Sequence, residues 1–340
     1  AQTDGDELDR QISAYLADAD DIRSLPTGSD EDEDEGDDDT EILTEVRVGH
    51  GREREARRAC QRERERPRPA GMLEAGAADG KAVRGARHGD TPAPQLLSLL
   101  HHDRGVVLGQ RQIADKTSEV PELGPLLADA LTSSDVAVIT ADALHTARES
   151  ARQISEDFGR YYVLVLKDNQ PTLLAAAQPR LACGTDAEHE QTGTGHTERD
   201  RGHGRIESRT IRTAPATDLD FPHAAQVFRI VRHVADLDGK GVSKEVAYGI
   251  TNAPSNVAGP VHLNTYVRQH WTVENREHYV RDRTFREDDR QARTGQLPHV
   301  LAALRNLVIS AFRQRGHANI AHARRHYTHV SHRLLRLFAL

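Results

Sequence analysis

The hydrophobic pattern is dominated by two short apolar runs. One is Val136-Ala137-Val138-Ile139-Thr140-Ala141, and the other is Tyr161-Tyr162-Val163-Leu164-Val165-Leu166. Between them lies a helix-compatible segment, Ala143 to Phe158. Runs this short, apolar throughout and one helix apart, read as buried parallel strands of a β-α-β unit. Asp142 follows the first run at once. That is the sheet edge where α/β folds place ligands, and it is also an ordinary helix N-cap position.

Weaker patterns fill in the neighbours. Ala78 to Gly85 predicts a strand with a glycine-permitted bend. Gln95–His102 and Val106–Ile113 predict two more strands, joined by the hairpin chemistry of Asp103-Arg104-Gly105. Val120–Leu131 predicts an amphipathic helix with Pro121 in its first turn, and Pro171 opens another over Thr172–Leu181. The order of three strands, helix, strand, helix and strand predicts a mixed α/β sheet of five strands with flanking helices. Residues 184–204 are polar and Gly-rich and predict a loop. Residues 207–213, 226–235 and 244–251 alternate apolar with polar and predict half-exposed antiparallel strands. A β-rich insertion is therefore expected over about 184–258. Helices are expected over 261–282, 297–314 and 319–337, the second with an apolar stripe of Leu297, Val300, Leu301, Leu304, Leu307, Val308 and Ala311.

The N-terminal stretch reads differently. Residues 4–17 predict one short amphipathic helix, with Leu8, Ile12, Tyr15 and Leu16 at helical spacing. Nine of the ten residues from Asp30 to Asp39 are acidic, which predicts a self-repelling, disordered block. Residues 52–69 alternate Arg with Glu and offer almost nothing to bury. Residues 1–75 are therefore expected to be a leader rather than a domain, with one domain over 76–340.

Charge sharpens this division. The net charge of -8 combines a net -16 over residues 1–45 with a net +8 over residues 264–340. A basic surplus on a folded body suits a polyanion, nucleic acid first, although a solvated Arg-rich helix face has the same composition. Two cysteines exclude a disulfide framework and a four-cysteine zinc site, and fit a reducing cytoplasm. No apolar stretch approaches the roughly 20 residues of a membrane helix, so no membrane partner is expected.

Three carboxylates stand where a site is expected: Asp79 on the first strand, Asp142 at the end of the fourth, and Glu274 on a late helix. Carboxylates gathered at a sheet edge suit hard divalent cations and phosphodiester chemistry. Spacing alone is weak evidence, but the surrounding words are specific. ADGKAVRGAR, VITADALHT, YVLVLKDNQPTLL, RGHGRIESRTI, HWTVEN, FREDDRQARTGQLPHVLAALRNL and ANIAHARRH together resemble a DDE insertion-sequence transposase of the ISAs type, in order over about 77–327. The resemblance implies an RNase H-like core with a β-rich insertion before the third acidic residue. It implies a catalytic, metal-binding triad of Asp79, Asp142 and Glu274, served by Mg²⁺ or Mn²⁺. It also implies DNA as partner, with Lys81, His145, Lys167, Arg205, Arg268 and His270 as candidate DNA contacts. A homodimer and a prokaryotic cytoplasmic, nucleoid-associated setting are implied as well.

Glu287 and Asp288 rival Glu274 for the third position. Glu274 is preferred because Trp271 is expected to fix its helix, whereas FREDD looks solvated. The chain departs from the family pattern in the Ala/Gly-rich stretch before Asp79, whose strand propensity is poor, and in Lys167-Asp168-Asn169-Gln170 where relatives read K-G-N-Q. Glu277, Arg281 and Arg283 also stand where relatives keep apolar residues. Two alternatives to an active transposase stay open: an inactive remnant that retains DNA binding, and an RNase H-like nuclease.

Overall fold

The computed structural model describes residues 4–21, 66–89, 91–113, 119–132, 134–202 and 204–328. The expectations for the acidic block, for most of the Arg/Glu-rich stretch and for a helix beyond residue 328 lie outside the described residues. Nine strands form a single sheet: β1 (Ala75–Ala82), β2 (Gln95–His101), β3 (Val107–Ile113), β4 (Val138–Ala141), β5 (Tyr161–Leu166), β6 (Gly195–Gly202), β7 (Arg205–Pro215), β8 (Gln226–Asp236) and β9 (Gly241–Thr251). The helices are α1 (Gly5–Asp21), α2 (Glu119–Ala130), α3 (Arg148–Arg152), α4 (Pro171–Ala182), α5 (Asp186–Gln191), α6 (Pro260–His270), α7 (Leu297–Gln314) and α8 (Ile320–Thr328).

The strand order is β3-β2-β1-β4-β5-β9-β8-β7-β6. The first three strands in sequence pair antiparallel, and β1, β4 and β5 run parallel side by side. This is the arrangement expected from the two apolar runs. The expected sheet of five strands is corrected to nine, because β9 pairs antiparallel with β5 from Val163↔Thr251 to Leu166↔Tyr248. The insertion thus continues the sheet rather than standing beside it. The expected loop over 184–204 is also corrected. It contains α5, held by a Thr185–Glu188 capping box, and the edge strand β6. β6 is polar throughout, so periodicity could not reveal it; pairing with β7 along its whole length holds it.

Both faces of the sheet are covered. Leu123, Leu126 and Leu127 of α2 and Leu173 and Leu181 of α4 bury one face, against Leu97, Leu99, Ile139, Leu164 and Ile250. Leu263 and Tyr266 of α6 bury the other, against Val138, Val163, Ile211, Phe228 and Ile230. β1 lies between β2 and β4, which explains its composition. A Cβ on Gly76 would stand 3.0 Å from Leu99 Cδ1, and Ala77 and Ala78 are fully buried. Close packing here favours small residues over β-branched ones.

The short helix expected over residues 4–17 is α1, and it packs on the body of the fold. Ile12 and Leu16 pack with Val106 and Ala303, and Asp9 Oδ2 lies 2.6 Å from His299 Nε2. The expected stripe on α7 is also corrected. Leu297 and Leu304 are exposed, while His299, Ala302, Ala303, Asn306, Ile309 and Ser310 are buried. The buried polar residues have partners: Asn306 Nδ2 donates to Gln110 Oε1 at 2.9 Å, and Ser310 Oγ accepts from Val107 N at 3.0 Å. The helix expected over 261–282 is interrupted. α6 ends at His270, and the chain continues through two π turns, Glu274–His278 and Val280–Thr284.

Candidate active site

The parallel pairing of β1 and β4 runs from Ala75↔Val138 to Ala78↔Ala141. Asp79 and Asp142 each stand one residue past the last paired rung. Neighbouring strands lie about 4.8 Å apart, so the two carboxylates leave adjacent strands at the same height. Asp142 also caps the turn Ala143–His145, with Oδ1 accepting from Leu144 N at 2.8 Å. The capping role and the edge position coincide in one residue.

The turn after Asp142 is fixed by the word that follows β5. Asn169 Nδ2 donates to Ala143 O at 2.5 Å, and Gln170 Nε2 donates to Thr146 O at 2.8 Å. Thr146 Oγ1 donates to Val165 O at 2.5 Å. One β4 residue earlier in the same face alternation, Thr140 holds α6. Its hydroxyl lies 2.9 Å from His102 Nε2 and 2.9 Å from His270 Nδ1. α6 is thereby docked over the β1–β4 edge, and its continuation delivers Glu274.

Asp79 feels the charge of both other carboxylates. Burial, with the charges of Asp142, Glu274 and Glu119, pushes its carboxyl up to about 7, against a hydrogen bond from the Gly80 N–H. His278 Nδ1 is 3.7 Å from Asp79 Oδ2, but burial and the nearby Arg281 and Lys81 hold this imidazole well below its ordinary value, in the neutral form. Burial likewise pushes His270 down to about 4, only partly offset by Asp142. Among the described residues no Lys or Arg pairs with Asp79, Asp142 or Glu274. The edge therefore carries uncompensated negative charge supplied by oxygen donors, which fits a hard divalent cation.

The other expected contacts are placed as follows. Lys81 is buried, with Nζ 2.7 Å from Asp282. His145 is buried and makes no hydrogen bond through either ring nitrogen. Lys167 is exposed just after β5. Arg205 opens β7 at the tip of the β6–β7 hairpin, and Arg268 pairs with Glu198 on β6. Lys81, His145 and His270 are thus engaged in or beside the core rather than offered as surface cations.

Two expectations about Glu274 need correction. Trp271 is 52% exposed, so it does not anchor the helix by burial. The anchor is the next turns: Val273 is buried with Ala77, Leu100 and Val107, and Arg276 Nη1 donates to His102 O at 2.6 Å. Glu287, expected to be solvated, is buried, and Arg281 grips it with Nη2 to Oε1 at 2.8 Å. Its carboxylate is also bonded by Arg305 Nη1 at 2.9 Å. Glu119 was not anticipated; nothing in a lone Glu at a helix start distinguishes it.

A second group offers three ligand atoms within 4.8 Å of one another: Glu74, His101 and Asp135. It lies at the opposite end of the strands, before β1 and β4. Arg68 pairs with Glu74 and Arg104 with Asp135. His101 and Arg68 hold the Glu74 carboxyl down to about 2. The group is an ion-pair cluster remote from Asp79 and Asp142.

Residues 71–310, which include all three carboxylates and the whole sheet, match the family described as "Transposase DDE domain". The chain belongs to the DDE transposase domain family. It is 26% identical over 253 residues to "Putative transposase YncI" of Escherichia coli O157:H7, covering 70% of this chain and 61% of that protein. It is 23% identical over 245 residues to "H repeat-associated putative transposase YhhI" of Escherichia coli strain K12, covering 69% of this chain and 62% of that protein. The chain spans about three fifths of the length of these curated relatives. Among solved structures, the cryo-EM structure of a piggyBac transposase synaptic complex with hairpin DNA aligns at a TM-score of 0.39 and 10% identity, over 94% of this chain and 67% of that one. That likeness is too loose to carry an argument. Among the described residues no helix is long and apolar enough to cross a membrane.

Proposed function

We propose that this DDE transposase family chain is a DNA transposase of the ISAs type, built on an RNase H-like core of β1–β5 with β6–β9 as its β-rich insertion. In this reading it cuts the ends of an insertion element and joins them to target DNA. The observation that carries the reading is the register of β1 and β4, which sets Asp79 and Asp142 side by side at one sheet edge within charge range of Glu274.

Asp79, Asp142 and Glu274 are the residues that would hold Mg²⁺ or Mn²⁺. Two such cations, when bound, supply an activated oxygen nucleophile and stabilise the leaving oxygen of a phosphodiester. The chain's own part is positional. β1 and β4 fix two carboxylates rigidly, the Asn169 and Gln170 hydrogen bonds hold the turn after Asp142, and Thr140 docks the helix that leads to Glu274. Lys167, exposed just after β5, is the first candidate phosphate contact, with the half-buried Arg205 at the hairpin tip as a second. DNA is the proposed partner, with a second copy of the chain as the proposed assembly.

The test is strand transfer by the purified full chain, using a DNA fragment that carries the element's terminal repeats, with and without Mg²⁺. Joined product only with Mg²⁺ is expected. Hydrolysis without joining would replace the reading with an RNase H-like nuclease, and DNA binding without either reaction would indicate a remnant.

A further inference from the structure

Glu119 begins α2, on the sheet face opposite α6. Its side chain is only 5% exposed, yet it ends against the backbone of Gly80, the neighbour of Asp79. A Cβ built on Gly80 would lie 2.4 Å from Glu119 Oε1. The absence of a side chain at Gly80 is therefore what admits this carboxylate. Glu119 Oε2 lies 3.5 Å from His145 Nε2, beyond a good hydrogen bond. Among the described residues no hydrogen bond reaches the Glu119 carboxylate.

His145 provides the second observation. It is three residues past Asp142, and its side chain is 1% exposed. Neither ring nitrogen has a hydrogen-bond partner. Burying polar groups this deeply without partners is costly. His145, on the Asp142 turn, faces the Glu119 carboxylate, which lies against the Asp79 strand.

Resting on the reading that Asp79, Asp142 and Glu274 hold a divalent cation, we propose that Glu119 is a fourth carboxylate of that site. It approaches from the α2 face over Gly80, with His145 beside its second oxygen. The donor set then has four acidic side chains rather than three. It draws on both faces of the sheet, and α2 becomes part of the metal site rather than mere cover for the core.

The experiment is Mn²⁺ binding to the purified full chain, measured as affinity and stoichiometry by calorimetry or by the spectrum of free Mn²⁺. No DNA or turnover is needed. The proteins are wild type, Glu119→Gln, Asp142→Asn, and Glu122→Gln, a carboxylate one turn along that pairs with Arg111. The expected result is that wild type and Glu122→Gln bind alike. Glu119→Gln should weaken binding by at least the roughly 10–100-fold that loss of even an outer-shell partner costs, and Asp142→Asn should do so too. If Asp142→Asn weakens binding and Glu119→Gln matches wild type, the fourth ligand is refuted and the three-carboxylate reading stands. If wild type binds no Mn²⁺, or Asp142→Asn binds like wild type, both fall together. Should Glu119→Gln not fold, Gly80→Ala carries the same expectation. It keeps the carboxylate but forces it off the backbone, so unchanged affinity in that variant would also overturn the proposal.

Discussion

Arg281 gives the most quantitative test of how Glu274 is held. It is fully buried, in the second π turn after Glu274, and stands where a resemblance to DDE relatives leads one to expect an apolar residue. Its guanidinium reaches Glu287 at 2.8 and 3.1 Å, Glu277 Oε1 at 3.2 Å and Gln110 Oε1 at 3.0 Å. Arg305 Nη1 adds a second cation on Glu287 at 2.9 Å, and Ser98 Oγ donates to Glu277 Oε2 at 2.8 Å. Two cations therefore balance two carboxylates. Burial pushes Glu277 up despite Arg281, while Glu287 is held below the usual carboxylate range, its burial outweighed by Arg281 and Arg305. Arg281→Met removes one cation and strands Glu277. The cost should be about 3–5 kcal/mol, as for breaking other buried pairs. Adding Glu277→Leu removes the stranded charge, and the double variant should recover about 1–3 kcal/mol of that loss. Urea unfolding of wild type, both single variants and the double variant measures this coupling. A cost under about 1 kcal/mol for Arg281→Met, or strict additivity in the double variant, would show that the network is not what holds this turn.

Further outcomes follow from the same geometry. Asp79 titrates at about 7 in the fold and near 3.8 when unfolded, so its proton favours the metal-free fold at low pH and that contribution is lost progressively as pH rises from about 4 to about 7. Asp79→Asn should therefore flatten the loss of metal-free stability between pH 5 and 8, a difference of roughly 2–3 kcal/mol, measured by denaturant unfolding; an unchanged slope would refute the burial of this charge. If Lys167 and Arg205 contact phosphates, DNA affinity should fall linearly with salt on logarithmic axes, and Lys167→Ala should reduce the slope by about one; a filter-binding series at several salt concentrations checks it, and a salt-independent affinity would refute it. Trp271 is the chain's only tryptophan and is half exposed three residues before Glu274. Its emission should be quenched by single-stranded DNA through base stacking, and unchanged emission at saturating DNA would place the nucleic acid elsewhere.

What the sequence revealed, and what it hid, has physical causes. The pairing of β4 with β5 was legible because strands buried on both faces are continuously apolar. Asp142 was legible because it ends such a run. β1 was readable only through the words around Asp79, since its Ala/Gly composition answers to contact with Leu99 rather than to propensity. β6 escaped because an edge strand need not alternate. The buried face of α7 escaped because His299, Asn306 and Ser310 are polar residues whose partners, Asp9, Gln110 and Val107, lie far away in sequence. Glu287 looked solvated for the same reason: Arg281 and Arg305 close over it only in the fold. Glu119 has no local signal at all, because its significance comes from the space left by Gly80.

The central claim is that Asp79, Asp142 and Glu274 form one metal-dependent phosphodiester site. The most direct measurement is cleavage of a terminal-repeat DNA fragment by wild type and Asp142→Asn, in parallel with their DNA affinities. The substitution keeps the shape and the capping oxygen that accepts from Leu144 N but removes the charge. The account predicts Mg²⁺-dependent cleavage by wild type, none by Asp142→Asn, and DNA affinities equal within about twofold. Equal cleavage by the two proteins would contradict it.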